Sequence, residues 1–342
     1  MDVRLSTEQQ ALRDAADHAV DRLAPQAVGQ LDDAERHARL DAAVVESGWR
    51  ELRVAADDGG APLASGVEAA VVAEQLGRGL ADAAFLGPLL AADLRRLAGV
   101  TWAEVTETVA LSPGLGSIAR AVGGSLPERS VAIDADGSTT ALALTDDGRV
   151  ATVALAGAAS TLDLTRPTAT PATSVVAIEG GRPLDEADLT RWSALGVALT
   201  CADLVGVMQG AIDLAVEYAN GRNQFGTTIG SFQAIQHMLA EALFQLEGSR
   251  SAALHAAWAV DALEADDALA AAALAKAYSA RSARTVCETV IQVHGGIGHT
   301  WECSAHVFLR RALVSTDLFG GVGPSLERVL VHNGIGGSDG LR

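Results

Sequence analysis

The sequence predicts a mainly α protein with a small β domain set between two helical regions. Three observations carry this. Ala, Leu and Val dominate an apolar share of 49% while aromatics reach only 4%, a mix suited to packed helices rather than a β-sandwich. Apolar residues recur at helical spacing from residue 5 to about 100 and again beyond 188. Between them, short β-prone runs alternate with Asp-Gly and Gly-Gly pairs.

In the first region, Ser6 or Thr7 can cap a helix with Glu8 in its acidic first turn, and Leu5, Leu12, Ala16 and Val20 share one face. A second helix is expected near 40–47, before the breaker cluster Asp57-Asp58-Gly59-Gly60-Ala61-Pro62. A third spans 66–79 and ends in Gly77-Arg78-Gly79; a fourth covers about 88–97. In the middle, runs at 130–133, 140–144, 150–153 and 174–178 are separated by Asp136-Gly137, Asp147-Gly148 and Gly180-Gly181. Asp-Gly between β-prone runs marks hairpins, so an antiparallel domain is expected. Helical stretches follow at 188–220, 231–262, 266–294 and 303–316, broken at Gly221, around Asp266-Asp267 and at Gly295-Gly296. The expected domains are an N-terminal helical domain (1–104), a middle antiparallel β domain (105–185) and a C-terminal helical bundle (186–342).

A net charge of −18 argues against a nucleic-acid surface, since no basic stripe is present to neutralise phosphates. Cys201, Cys287 and Cys303 are too few and too scattered for a disulfide framework, and the His and Cys residues lack metal-ligand spacing. Cys201 sits in an apolar helical pattern and reads as a small buried hydrophobe. The start, Met1-Asp2-Val3-Arg4-Leu5, shows no charged leader followed by an apolar block. The most apolar window, 195–208, contains Thr200 and Asp203 and reads as too short to span a bilayer. A cytoplasmic protein is the expectation.

Two segments carry candidate chemistry. Arg222-Asn223-Gln224-Phe225-Gly226 lies between one helix and the next, which opens near Ser231. An Arg there presents a planar, charged fork suited to a pyrophosphate, and Phe225 a flat surface for an adenine or flavin edge. The residues alone leave open a surface Arg and a core Phe. The second segment, Gln292-Val293-His294-Gly295-Gly296-Ile297-Gly298, lets backbone N–H groups approach a ligand closely, although such a turn more often only stops a helix. No strand precedes it and no G-x-G-x-x-G spacing occurs.

Together these segments resemble the acyl-CoA dehydrogenase family: an Arg-x-Gln-Phe-Gly loop, then Phe232-Gln233-Ala234-Ile235-Gln236, then a Gln-x-x-Gly-Gly-x-Gly turn. Leu5-Ser6-Thr7-Glu8-Gln9-Gln10 and Glu74-Gln75-Leu76-Gly77-Arg78 look like the family's opening helices, so the resemblance covers nearly the whole chain. It implies a flavoprotein that removes hydrogens from Cα and Cβ of an acyl-CoA. A carboxylate takes the α-proton and the flavin takes the β-hydride. It also implies an FAD site shared between subunits, in which Arg222, Gln224, Phe225, Gln292, Gly295 and Gly296 reach a neighbour's cofactor.

The chain departs from the family pattern at the base. Phe319 stands where the usual Glu belongs, and the alternative position on the helix before the Arg loop is Gly196. The flavin loop of the middle domain is not recognisable near Leu111-Ser112-Pro113-Gly114. Asp317 and Glu302 are the remaining carboxylates, with Glu302 read as structural; His294 and His299 read as packing or hydrogen-bonding residues. This pattern resembles the smaller, base-lacking partner of α2β2 enzymes acting on steroid side-chain or other bulky acyl-CoAs. The alternatives are a homo-oligomer using Asp317 and a family-fold binding or scaffold protein without flavin chemistry. Candidate partners are acyl-CoA, a second dehydrogenase subunit and an electron-transfer flavoprotein.

Overall fold

The computed structural model describes residues 4–56, 60–102 and 106–335. The start of the breaker cluster at Asp57-Asp58-Gly59, the opening residues 1–3 and the division after residue 104 lie outside the described residues.

Four helices come first. α1 (Thr7–Leu23) opens on a capping box in which Ser6 and Gln9 satisfy each other's backbone N–H. α2 (Ala34–Glu46) starts earlier than its apolar spacing suggested, because the Asp33 carboxylate accepts from the Glu35 and Arg36 amides. α3 (Gly66–Arg78) has its own capping box, Ser65 with Glu68, and α4 (Leu86–Ala98) ends on left-handed Gly99. Arg53, fully buried, ties this layer to the later bundle through Asp93 at 3.1 Å and Asp261 at 3.0 Å.

The β domain comprises β1 (Glu107–Leu111), β2 (Val131–Ile133), β3 (Thr140–Leu144), β4 (Val150–Ala159), β5 (Thr168–Pro171) and β6 (Val176–Ala177). The order β3-β1-β2-β5-β4-β6, with β3 also paired to β4, closes five strands into a ring. Its interior is built from Ala110, Ala132, Ala141, Ala143 and Ala169, while the alternating Val109, Leu111, Ile133, Leu142 and Leu144 join the main core. So narrow a ring favours small side chains, which explains the alanines at period two, with Val153 and Leu126 the larger members of the same cluster. Two expectations are corrected. β1 and β3 run parallel, so the sheet is not wholly antiparallel. Asp136-Gly137 does not close a hairpin, because β2 pairs with β1 and β5 and not with β3. Asp147-Gly148 does join the antiparallel pair β3 and β4. β1 and β5 were not legible as separate runs.

The bundle contains α5 (Glu186–Gly221), α6 (Gln233–Ala262), α7 (Ala265–His294), α8 (Ala305–Asp317) and α9 (Val322–His332). A two-stranded hairpin, β7 (Asn223–Gln224) with β8 (Thr227–Thr228), separates α5 from α6. The break before α7 falls at Leu263 and Glu264, so Asp266 and Asp267 lie in its first turn, where the helix dipole favours them. α9 was missed because Gly320, Gly321, Gly323 and Pro324 read as a loop; a proline in a first helical turn gives up no internal bond. α5 corrects the reading of the 195–208 window, since the helix around it is long and apolar enough to cross a membrane. Of its most apolar stretch, however, 94% is buried inside the fold, as befits a central helix surrounded by others.

Candidate functional site

α5 and α7 lie side by side and run parallel. Lys276 Nζ donates to Thr200 Oγ1 at 3.0 Å, and one end further on His294 stacks on Tyr218 with centroids 4.5 Å apart. Both contacts join residues the same distance apart in sequence, so the helices keep register and end together. Their two following loops, which are the two sequence motifs, therefore emerge at one end of the bundle.

At this end the motif residues face outward. Arg222 is exposed and caps α5 through its backbone; its N–H donates to Tyr218 O and its carbonyl accepts from Ile229 at 2.8 Å. No ion pair to its guanidinium occurs among the described residues. Phe225 and Gly226 form the two-residue tip of the hairpin, both at positive φ (52° and 81°), as a type I′ turn demands. Phe225 is 94% exposed, so the core-Phe reading is overturned. Gln224 and Gln292 are exposed as well. Gly295 ends α7 at φ 65°, ψ −142°, a conformation essentially closed to other residues, and open space lies where Cβ atoms of Gly295 and Gly296 would be. The adjoining surface is apolar: Phe244 is 74% and Trp301 65% exposed.

His294 is buried, with Nδ1 2.8 Å from Val290 O, and its pKa is raised: burial pulls it down, but hydrogen bonds with Cys303 and Val290 prevail. It is a packing residue. His299 and Glu302 are exposed. Cys201 and Cys287 are fully buried, and burial pushes both thiols up to about 12.

The two base positions lie toward the other end of the bundle. From Gly196 to Arg222 is 26 residues of α5, or about 39 Å at the helical rise. There the structure brings Phe319 and Gly196 together. A Cβ on Gly196 would lie 2.6 Å from Phe319 Cε1 and Cζ, so the ring occupies the space a side chain at 196 would need. Trp192, whose Nε1 donates to Leu90 O at 3.0 Å, meets the ring edge-on at 5.6 Å. Phe319 sits at φ 61°, held by its N–H on Leu115 O at 2.7 Å. Thus the segment beginning Ser112-Pro113-Gly114 folds into a turn that grips the Phe319 backbone. Asp317, by contrast, is exposed at the end of α8.

Sequence reading missed the group that anchors this turn. Lys276 is fully buried and donates to Ser315 O and Leu318 O, drawing in the last carbonyls of α8. Burial lowers its pKa to about 8, against the opposing pull of Cys201, Asp203 and Asp317. A lone lysine in the apolar run Leu274-Ala275-Lys276-Ala277 was the available signal.

The fold and these loops define a protein of α, β and α regions in chain order whose C-terminal segment, residues 194–323, matches the family model described as acyl-CoA dehydrogenase, C-terminal domain. The chain is 30% identical over 264 residues to the acyl-CoA dehydrogenase IpdE2 of Mycobacterium tuberculosis, covering 73% of each protein. It is 35% identical over 219 residues to FadE34 of the same organism, a match spanning 64% of this chain and 29% of FadE34. Among solved structures, a variant of the Tcur3481-Tcur3483 steroid ACAD aligns at TM-score 0.78 and 22% identity, covering 96% of this chain and 98% of that one. The ChsE4-ChsE5 complex from Mycobacterium tuberculosis aligns at TM-score 0.74 and 23% identity, covering 98% and 99%. The chain belongs to the acyl-CoA dehydrogenase family.

Proposed function

We propose that this chain is the base-lacking subunit of a heteromeric, FAD-dependent acyl-CoA dehydrogenase, acting in the cytoplasm on a bulky acyl-CoA of lipid or steroid type. The observation that carries this is the contact between Phe319 and Gly196. Neither residue can accept a proton, and the Phe319 ring occupies the space that a carboxylate side chain at 196 would need. The distance along α5 supports the same reading, because the Arg222 and Gln292 loops lie about 39 Å from that position and so serve a different site.

The residues at the loop end fit a dinucleotide. Arg222 is free to form charge-assisted bonds to a diphosphate, Gly295 and Gly296 leave their backbone open to close approach, and Phe225 presents a flat face. Bound there, FAD supplies the hydride acceptor for the acyl Cβ. This chain's part is to hold and orient it, while the α-proton goes to a carboxylate of the partner. Two fold neighbours, the Tcur3481-Tcur3483 steroid ACAD and the ChsE4-ChsE5 complex, are pairs of proteins, which supports a two-component assembly. The surface around Phe244 and Trp301 then becomes a subunit interface.

Co-expression decides the matter. Expected is a complex with a full-length family member that holds FAD and oxidises an acyl-CoA, and a chain that purifies without flavin when expressed alone. Stoichiometric FAD and turnover by this chain alone would overturn the proposal.

A further inference from the structure

Where the N-terminal helices, the β ring and the bundle meet, five ionised side chains are buried together. Arg311 donates from Nε and Nη2 to Asp203 Oδ1 at 3.0 and 2.7 Å, and from Nη1 to Ala81 O and Thr165 Oγ1 at 2.7 and 3.0 Å. Arg166 donates from Nε to Asp163 Oδ2 at 2.7 Å and from Nη2 to Ser315 Oγ at 2.6 Å, with Nη1 3.3 Å from Asp203 Oδ2. The fifth group is Asp134, 4% exposed and at φ 47° just after β2. Its Oδ2 accepts the amides of Phe85 at 2.8 Å and Gly87 at 3.2 Å, capping the start of α4 from the β domain. Its Oδ1 has no hydrogen-bond partner among the described residues.

Asp134, Arg166, Asp203 and Arg311 line a cavity with about 20 Å³ of space for water, completed by Ala73, Leu76, Ala83, Phe85, Leu86 and Leu199. We infer that this cavity is a binding site for a single structural water molecule, which donates to Asp134 Oδ1 and accepts from the guanidinium of Arg166 or Arg311. Volume, charge and valence all select that occupant. The space exceeds the roughly 10–15 Å³ one water needs and is too small for anything larger. Two carboxylates in its wall, Asp134 and Asp203, repel an anion and two guanidinium groups repel a cation, leaving a neutral dipole. A guanidinium carries five N–H donors, and the bonds above use Nε, Nη1 and Nη2 of Arg166 once each, so donors remain for a water to accept. An unpaired buried carboxylate oxygen is costly, and a water with partners on both sides removes that cost. Accepting from Arg311, the water links the β ring to α8.

The test is a crystal structure of the full chain, with its partner if one is needed, at a resolution that shows ordered water. One isolated peak is expected within about 2.7–3.2 Å of Asp134 Oδ1 and of a guanidinium nitrogen. No peak, or anomalous scattering that identifies an ion, would overturn the site. Thermal denaturation of Ala73→Val gives an independent answer, because the added methyls enter the same space. Expelling a bound water strands Asp134 and lowers Tm by about 3–5 °C. Filling a dry cavity instead raises Tm, and that result would sink the inference.

Discussion

Two phenylalanines in this protein share a strained backbone and nothing else. Phe319 and Phe225 both sit at positive φ, 61° and 52°, a conformation uncommon for a bulky residue. Phe319 is 4% exposed, wedged on Gly196 and edged by Trp192. Phe225 is 94% exposed at the tip of a hairpin, with Phe232 its one ring neighbour among the described residues, at 6.3 Å. Strain of this kind persists where surroundings over-determine it. For Phe319 those surroundings are within the chain. For Phe225 they are the two-residue hairpin tip, which sets the backbone and leaves the ring bare. One end of the bundle is finished in the single chain, and the other leaves Arg222, Phe225 and Gln292 exposed.

The largest effect should come from the finished end. Asp203 is buried between Arg166 and Arg311; burial pushes its carboxyl up, and the two guanidinium groups overcome that and hold it below the usual range. Asp203→Ala leaves two buried cations short of a partner and should cost about 3–5 kcal/mol, read as a lower midpoint in chemical denaturation. A loss under about 1 kcal/mol would mean the junction is less well packed than its geometry indicates.

Phe319→Ala should follow at about 3–4 kcal/mol, the range for an aromatic ring removed from a core, with the FAD content of the assembled complex unchanged. Flavin loss in that variant would place the cofactor at the wrong end of the comparison. Arg222→Ala is the mirror experiment. The stability of the isolated chain should stay within about 0.5 kcal/mol, as for a surface residue, while FAD affinity of the complex falls by about 10-fold or more with the loss of a charge-assisted bond. Normal flavin retention on titration would remove Arg222 from the site.

The remaining test is a pH dependence. Lys276 has a folded pKa of about 8, lowered chiefly by burial, with Asp203, Asp317 and Cys201 opposing and Arg166 assisting. Between that value and its ordinary 10.5 the unfolded chain binds more protons than the folded one, so this group's contribution to stability rises with pH across the window. Below pH 8 both states are protonated and the penalty for burying the ammonium is fully present. Buried Cys201 and Cys287, raised to about 12, act in the opposite sense from about pH 9 upward. The difference between wild type and Lys276→Met therefore isolates the lysine: the wild type should gain relative to the variant from pH 8 to 10.5. A difference flat in pH would show that Lys276 is not buried as described.

Much of this protein follows from its sequence alone, because the determining interactions are local. Ser6 with Gln9 starts a helix, Asp147-Gly148 turns a hairpin and Gly295 stops α7, each through bonds among residues a few positions apart. The loop residues Arg222, Gln224, Phe225, Gln292, Gly295 and Gly296 were equally legible, being contiguous motifs, as was the lack of a carboxylate at 196 and 319. What only the tertiary structure decided depends on pairs far apart in the chain. The parallel pairing of β1 with β3 and the closure of the ring follow from packing between strands. The burial of Lys276 against α8, and of Asp203 between arginines from two other segments, leaves no local pattern to read. So too with the two absent bases. The sequence shows two unrelated substitutions 123 positions apart, and the fold makes them one contact, because a ring fits against α5 only where that helix has no side chain.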